Sequence, residues 1–144
     1  MIKATCCLAI LLFTITSVSA QETIDKRLVK NRGKQAEEAF VHNKNSYNYY
    51  LFELDKGHWM TTVSALDNNE KNLLQPAENF KNEQGQSLTY AEASAETFNY
   101  YDYGIRIAKE QRLYIALDAE HVLVFHSIPE LSKLFSNSEF NTKK

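Results

Sequence analysis

Both cysteines of this chain, Cys6 and Cys7, lie within its first seven residues, and that constrains everything after them. From residue 8 onward there is no disulfide to form, no thiol nucleophile and no thiolate metal site. A domain without covalent or metal staples must hold itself by packing alone. The material is present: after residue 20 come 7 Phe, 8 Tyr and the single Trp59.

The segment carrying the cysteines reads as an export signal. Lys3 supplies a short positive start, and Ala4 to Ile15 is an uncharged apolar run of 12 residues. Thr16 to Ala20 is small and polar, with Val18 and Ala20 at the −3 and −1 positions of a cleavage site. The run is shorter than the roughly 20 residues a membrane-spanning helix needs. Both cysteines sit at its beginning, the wrong place for a lipid-modified N-terminus. The expectation is a cleaved signal over 1–20, one α+β domain over 21–136 and a frayed tail over 137–144. No stable membrane anchor then remains, and the location is exported, periplasmic or extracellular. An exported protein with no disulfide and no N-x-[ST] sequon fits a bacterial envelope better than a eukaryotic secretory route.

Charge excludes one partner class. The chain carries 16 basic and 18 acidic residues. Without Lys3 the balance becomes −3, and no basic run exceeds Lys26-Arg27 or Lys143-Lys144. Nucleic acid wants a basic patch or stripe, so it is not an expected partner.

Residues 21–45 are polar with sparse apolar positions at helical spacing, interrupted by Gly33, and predict one helix or a broken pair. Tyr47 to Leu54 is aromatic-rich and reads as a strand. Asp55-Lys56-Gly57 is a turn signal, and His58 to Leu66 reads as the returning strand of a hairpin. A long polar connection follows, with a short helix near Pro76 to Phe80. Thr89 and Glu92 form a capping-box pattern for another short helix. Phe98 to Ile107, Leu113 to Leu117 and Val122 to Phe125 read as strands, and their short links allow only antiparallel neighbours. The VLVF run has no polar alternate, which suits a central strand covered on both faces. Ser127, Pro129 and Glu130 signal the start of a C-terminal helix. The expected fold is α+β: an antiparallel sheet of about five strands packed by an N-terminal helix and a short C-terminal helix.

Ser46-Tyr47-Asn48-Tyr49-Tyr50 is echoed by Thr97-Phe98-Asn99-Tyr100-Tyr101. As strands, both would place Tyr47, Tyr49 and Tyr100 opposite the core face. Aromatic rings so exposed could stack on sugars or enter a protein partner. These three are the candidate binding residues, with a protein or glycan of the envelope as partner.

Catalytic motifs are scarce. No G-x-S-x-G, H-E-x-x-H or glycine-rich phosphate loop occurs. His121 and His126 are five apart in one expected strand, an odd spacing that puts them on opposite faces, so they should not share a metal. No metal and no cofactor is expected. The reading is a non-catalytic binding or accessory module, with a subunit of an envelope assembly as a variant. The alternative is a small enzyme using His126 or His121 beside a carboxylate or tyrosine in a cavity of a curved sheet.

Overall fold

The computed structural model describes residues 22–144; the expected signal segment, 1–20, lies outside the described residues. The chain is mixed α+β, with six α-helices among the described residues and one four-stranded sheet. Helix α1 (Lys26–Arg32) starts at its cap Asp25, whose side chain accepts from the Arg27 amide. Gly33, at φ +49, breaks it from α2 (Lys34–His42), a backbone turn that disfavours any side-chain-bearing residue.

Helix α3 (Lys44–Lys56) replaces the first strand of the expected hairpin. Asn43 caps it, its Oδ1 accepting from the Ser46 amide at 3.1 Å. Tyr47, Tyr50, Leu51 and Leu54 then point into the main core at i, i+3, i+4 and i+7 spacing. Strand β1 (His58–Thr62) follows, and its partner is a strand some sixty residues on, not the segment before it.

After β1 come α4 (Asn68–Lys71), β2 (Leu74–Pro76) and a 3-10 turn at Ala77–Asn79. Helix α5 (Tyr90–Ala93) carries the Thr89/Glu92 capping box. Phe98 to Ile107 is not a strand. Asn99 accepts from the Tyr101 amide and opens a 3-10 helix over Tyr100–Tyr103, which Gly104 ends at φ +68. The two echoed segments therefore fold differently, one as α-helix and one as 3-10 helix.

Strands β3 (Leu113–Ala116) and β4 (His121–Phe125) pair antiparallel across a short turn, and α6 (Ile128–Ser136) ends the regular structure. The sheet order is β1-β4-β3-β2. Expected as about five antiparallel strands, it has four and is mixed, because β2 runs parallel to β3. Two aromatic segments went to helices, and three residues containing a proline joined the sheet edge.

Strand β4 lies at the sheet centre, with Val122, Leu123, Val124 and Phe125 all at 0% exposure. Leu123 and Phe125 face the large core built with α1, α2, α3 and the 88–105 segment. Val122 and Val124 face a smaller one with Leu66 and Tyr114, edged by Trp59, Val63 and Leu74. A third cluster joins Phe52 of α3 to Leu131 and Phe135 of α6. The C-terminal residues, expected to fray, fold back on α3. Phe140 packs 5.6 Å from Phe52, its carbonyl accepts from Asn48, and the Thr142 amide donates to Asn45.

Candidate functional site

Tyr47, Tyr49 and Tyr100, expected together on one exposed face, do not share one. Tyr100 is 0% and Tyr47 3% exposed. The Tyr47 hydroxyl accepts from the Asp25 amide at 2.8 Å. Tyr49 is half-buried, edge-on to Phe135 at 5.1 Å. A helical α3 turns Tyr47 inward and Tyr49 toward α6, where a strand would have put them side by side.

What the tyrosines build instead is a polar cluster under the surface. Glu53, only 12% exposed, accepts from the Tyr100 hydroxyl at 3.2 Å and the Tyr101 hydroxyl at 3.0 Å. Its second oxygen is paired with Arg32 at 2.8 Å. Arg32 also donates to the Tyr101 hydroxyl and lies 4.1 Å above the Tyr50 ring. Burial pushes both phenols upward, Tyr100 far above the ordinary tyrosine range, so each stays a neutral donor to the carboxylate. Glu53 is thus the junction of α1, α3 and the 3-10 helix.

Above this cluster a polar groove of about 380 Å³ opens. One wall is the end of α1, with Lys30 and Asn31. Asn31 donates to Asn99 Oδ1 at 2.9 Å, which fixes that wall against the 3-10 helix. A second wall is the hairpin-like loop 81–87. Asn82 Oδ1 accepts from the Gln84 and Gln86 amides, Gly85 turns the chain at φ +76, and Lys81 bridges to Ser87. The third comprises Tyr101, Asp102, Gly104 and Arg106. Lys30 and Asp102 pair across it at 2.7 Å. Arg106 lies 4.8 Å over the Tyr101 ring and donates to the Ile105 carbonyl. A smaller recess of about 140 Å³ shares Lys30, Asn82, Glu83 and Asp102 and extends to Tyr103.

The histidines fall elsewhere. His126 sits with its ring 4.4 Å from Trp59, beside an opening of about 300 Å³ also lined by Arg112, Glu130 and Lys133. Its Nδ1 is buried without a hydrogen bond; the nearest carboxylate oxygen, on Glu130, is 3.6 Å away, beyond hydrogen-bond range. Burial lowers the His126 pKa against the pull of Glu130, so the ring is neutral near pH 7. Glu130 is committed to Arg112 at 2.8 Å and to the Ser127 amide, and those donors hold it down at about 2. His121 is at the other end of β4, bound to Asp118 at 2.8 Å and stacked 4.0 Å from exposed Tyr90. The two imidazoles thus lie at opposite ends of β4, with different neighbours. His58, which no motif singled out, packs part-buried among Phe98, Tyr100 and Phe125, with its Nδ1 fully buried.

Among the described residues, no group of three or more His, Cys, Asp or Glu side chains could hold a metal ion, and no helix is long and apolar enough to cross a membrane. Searches against family models, curated proteins and solved structures match nothing to this chain.

Proposed function

We propose that this is an exported, non-catalytic binding module whose ligand site is the polar groove between α1, the 81–87 loop and the 3-10 helix. One observation carries the reading: the groove is lined with side chains able to donate or accept hydrogen bonds, on walls already held by internal bonds. A preorganised wall loses little entropy on binding. Protein partners want a buried apolar anchor, and no aliphatic side chain lines this groove. Its chemistry suits a hydroxyl-rich glycan of the envelope instead. Of the carboxylates at the openings, Asp102 and Glu130 are each bound to a cation, which supports the non-catalytic part.

A glycan array probed with the protein, followed by amide-shift mapping of any hit, tests this. Shifts confined to residues 30–31, 81–84 and 101–106 are the expected result; shifts elsewhere, or no hit, reject the site. Expression of the full chain with its first 20 residues tests export. A secreted product whose mass begins at Gln21 is expected, and full-length protein retained in the cell rejects it.

A second reading rests on His126 as a general base beside its opening. It requires Glu130 to turn from Arg112 and accept from His126 Nδ1–H, leaving Nε2 to take the proton. Turnover of any substrate that His126→Gln abolishes, with the fold intact, would favour it.

A further inference from the structure

The charges of the groove narrow the ligand beyond that reading, on which this step rests. Lys30 is neutralised by Asp102 at 2.7 Å. Lys81 and Arg106 line the same groove, and neither forms an ion pair among the described residues. Both are exposed. Arg106 is held in place by its bond to the Ile105 carbonyl and by the Tyr101 ring beneath it. A guanidinium fixed in this way keeps free N–H donors and matches a carboxylate in a two-pronged pair.

The acids of the groove select among anions. Glu83 and Asp102 stand in it alongside the three cations, leaving one positive charge over. A dianionic phosphate would meet both carboxylates and be repelled. A single carboxylate on a hydroxyl-rich frame meets no such conflict. Its charge goes to Lys81 and Arg106, and its hydroxyls donate to Glu83 and Asp102. We infer that the groove binds a carboxylate-bearing saccharide, a uronic-acid unit of an acidic polysaccharide, with Lys81 and Arg106 as the carboxylate contacts.

Calorimetric titration of the purified protein with short oligomers of galacturonate, glucuronate and mannuronate, each beside its carboxyl-reduced neutral counterpart, tests the assignment. At least one acidic oligomer is expected to bind tenfold or more tighter than its neutral form, and to weaken as salt rises. Lys81→Ala and Arg106→Ala should each cost that ligand tenfold or more. Lys109→Ala, on an exposed loop away from the groove, should cost nothing. Far-UV circular dichroism of each variant establishes that the fold is kept. Equal binding of acidic and neutral oligomers within the groove overturns the charge assignment and leaves the glycan reading standing. Inorganic phosphate competing as well as the uronate also overturns it. If no acidic oligomer binds while a neutral glycan does, this inference alone falls; if no saccharide binds at all, both fall.

Discussion

His58 shows what one largely enclosed side chain can impose on the molecule. Its ring lies 5.3–6.0 Å from those of Phe98, Tyr100 and Phe125, and its Nδ1 has no hydrogen-bond partner. Burial lowers its pKa from 6.5 to about 4, with Asp55 pulling weakly the other way. The unfolded chain takes a proton near pH 6.5, and the folded one resists until about 4. Between those values the unfolded state binds more protons, so the contribution is whole above pH 6.5 and is lost as pH falls to 4. The difference corresponds to about 3 kcal/mol. His58→Phe removes the titrating group while keeping an aromatic ring, and should flatten the melting temperature between pH 7 and 4. A mutant curve that falls as steeply as the parent's would show that another group governs acid sensitivity. Glu53 tests the cluster beneath the groove. Glu53→Ala leaves Arg32 and two phenols without their acceptor and should cost about 3 kcal/mol in urea unfolding, as removing one partner of a buried pair does. Glu53→Gln, which can still accept from the phenols, should cost less. Neither role was legible in the sequence, because what matters at each residue is the surroundings that distant segments bring to it.

At the scale of elements, legibility followed how local the deciding signal was. Leu113 to Ala116 and Val122 to Phe125 are apolar runs joined by a link too short for anything but a hairpin, and both form as expected. The box of Ser127 and Glu130 is equally local and marks the start of α6. Tyr47 to Leu54 misled because its aromatic content favours strands while its spacing favours a helix. Two local signals pointed to the helix: Asn43 at the cap, and the absence of any β-branched residue from Lys44–Lys56. Asn99 and Gly104 likewise bracket the 3-10 helix, a cap and a left-handed stop that outweigh the strand character of FNYYDY. Strand β2 had no signal of its own, since pairing with β3 alone makes Leu74–Pro76 a strand. The groove was out of reach for the same reason, being assembled from three segments more than fifteen residues apart. Glu130 links α6 to Arg112, and this pairing is measurable as well. Its carboxyl is held at about 2, so its contribution is present above pH 4.5 and is lost as pH falls through 2. Both partners are more than a third exposed at their side chains, so solvent screening limits the pair to about 1 kcal/mol or less. Arg112→Ala should therefore lower stability modestly at pH 7 and much less at pH 2, by urea unfolding at the two values.

Across the whole molecule, the sheet separates two apolar cores, and α3 connects one of them to the C-terminal region. Its inner face meets the large core through Tyr47, Tyr50, Leu51 and Leu54, while Phe52 turns the other way to meet Leu131, Phe135 and Phe140. The chain beyond α6 closes this outer cluster. Ser138 bonds back to the Phe135 carbonyl, the Phe140 carbonyl accepts from Asn48, and Thr142 reaches Asn45 twice. Phe140 is only part-buried, yet it covers Phe52, which is 6% exposed, and shares an apolar recess with Leu134. Removing residues 138–144 uncovers the Phe52 ring and strips α3 of three tertiary hydrogen bonds. At about 25 cal/mol per Å² of apolar surface, exposing most of one phenylalanine and part of a second costs about 2 kcal/mol. The truncated protein should unfold that much more easily in urea, with faster amide exchange along the outer face of α3 and little change at β4. Phe140→Ala should reproduce most of the loss, and Thr142→Ala little of it, because apolar cover contributes more here than exposed hydrogen bonds do. A truncated chain as stable as the intact one would mean that these residues rest on α3 without holding it, and that the outer cluster is complete with Phe52, Leu131 and Phe135 alone.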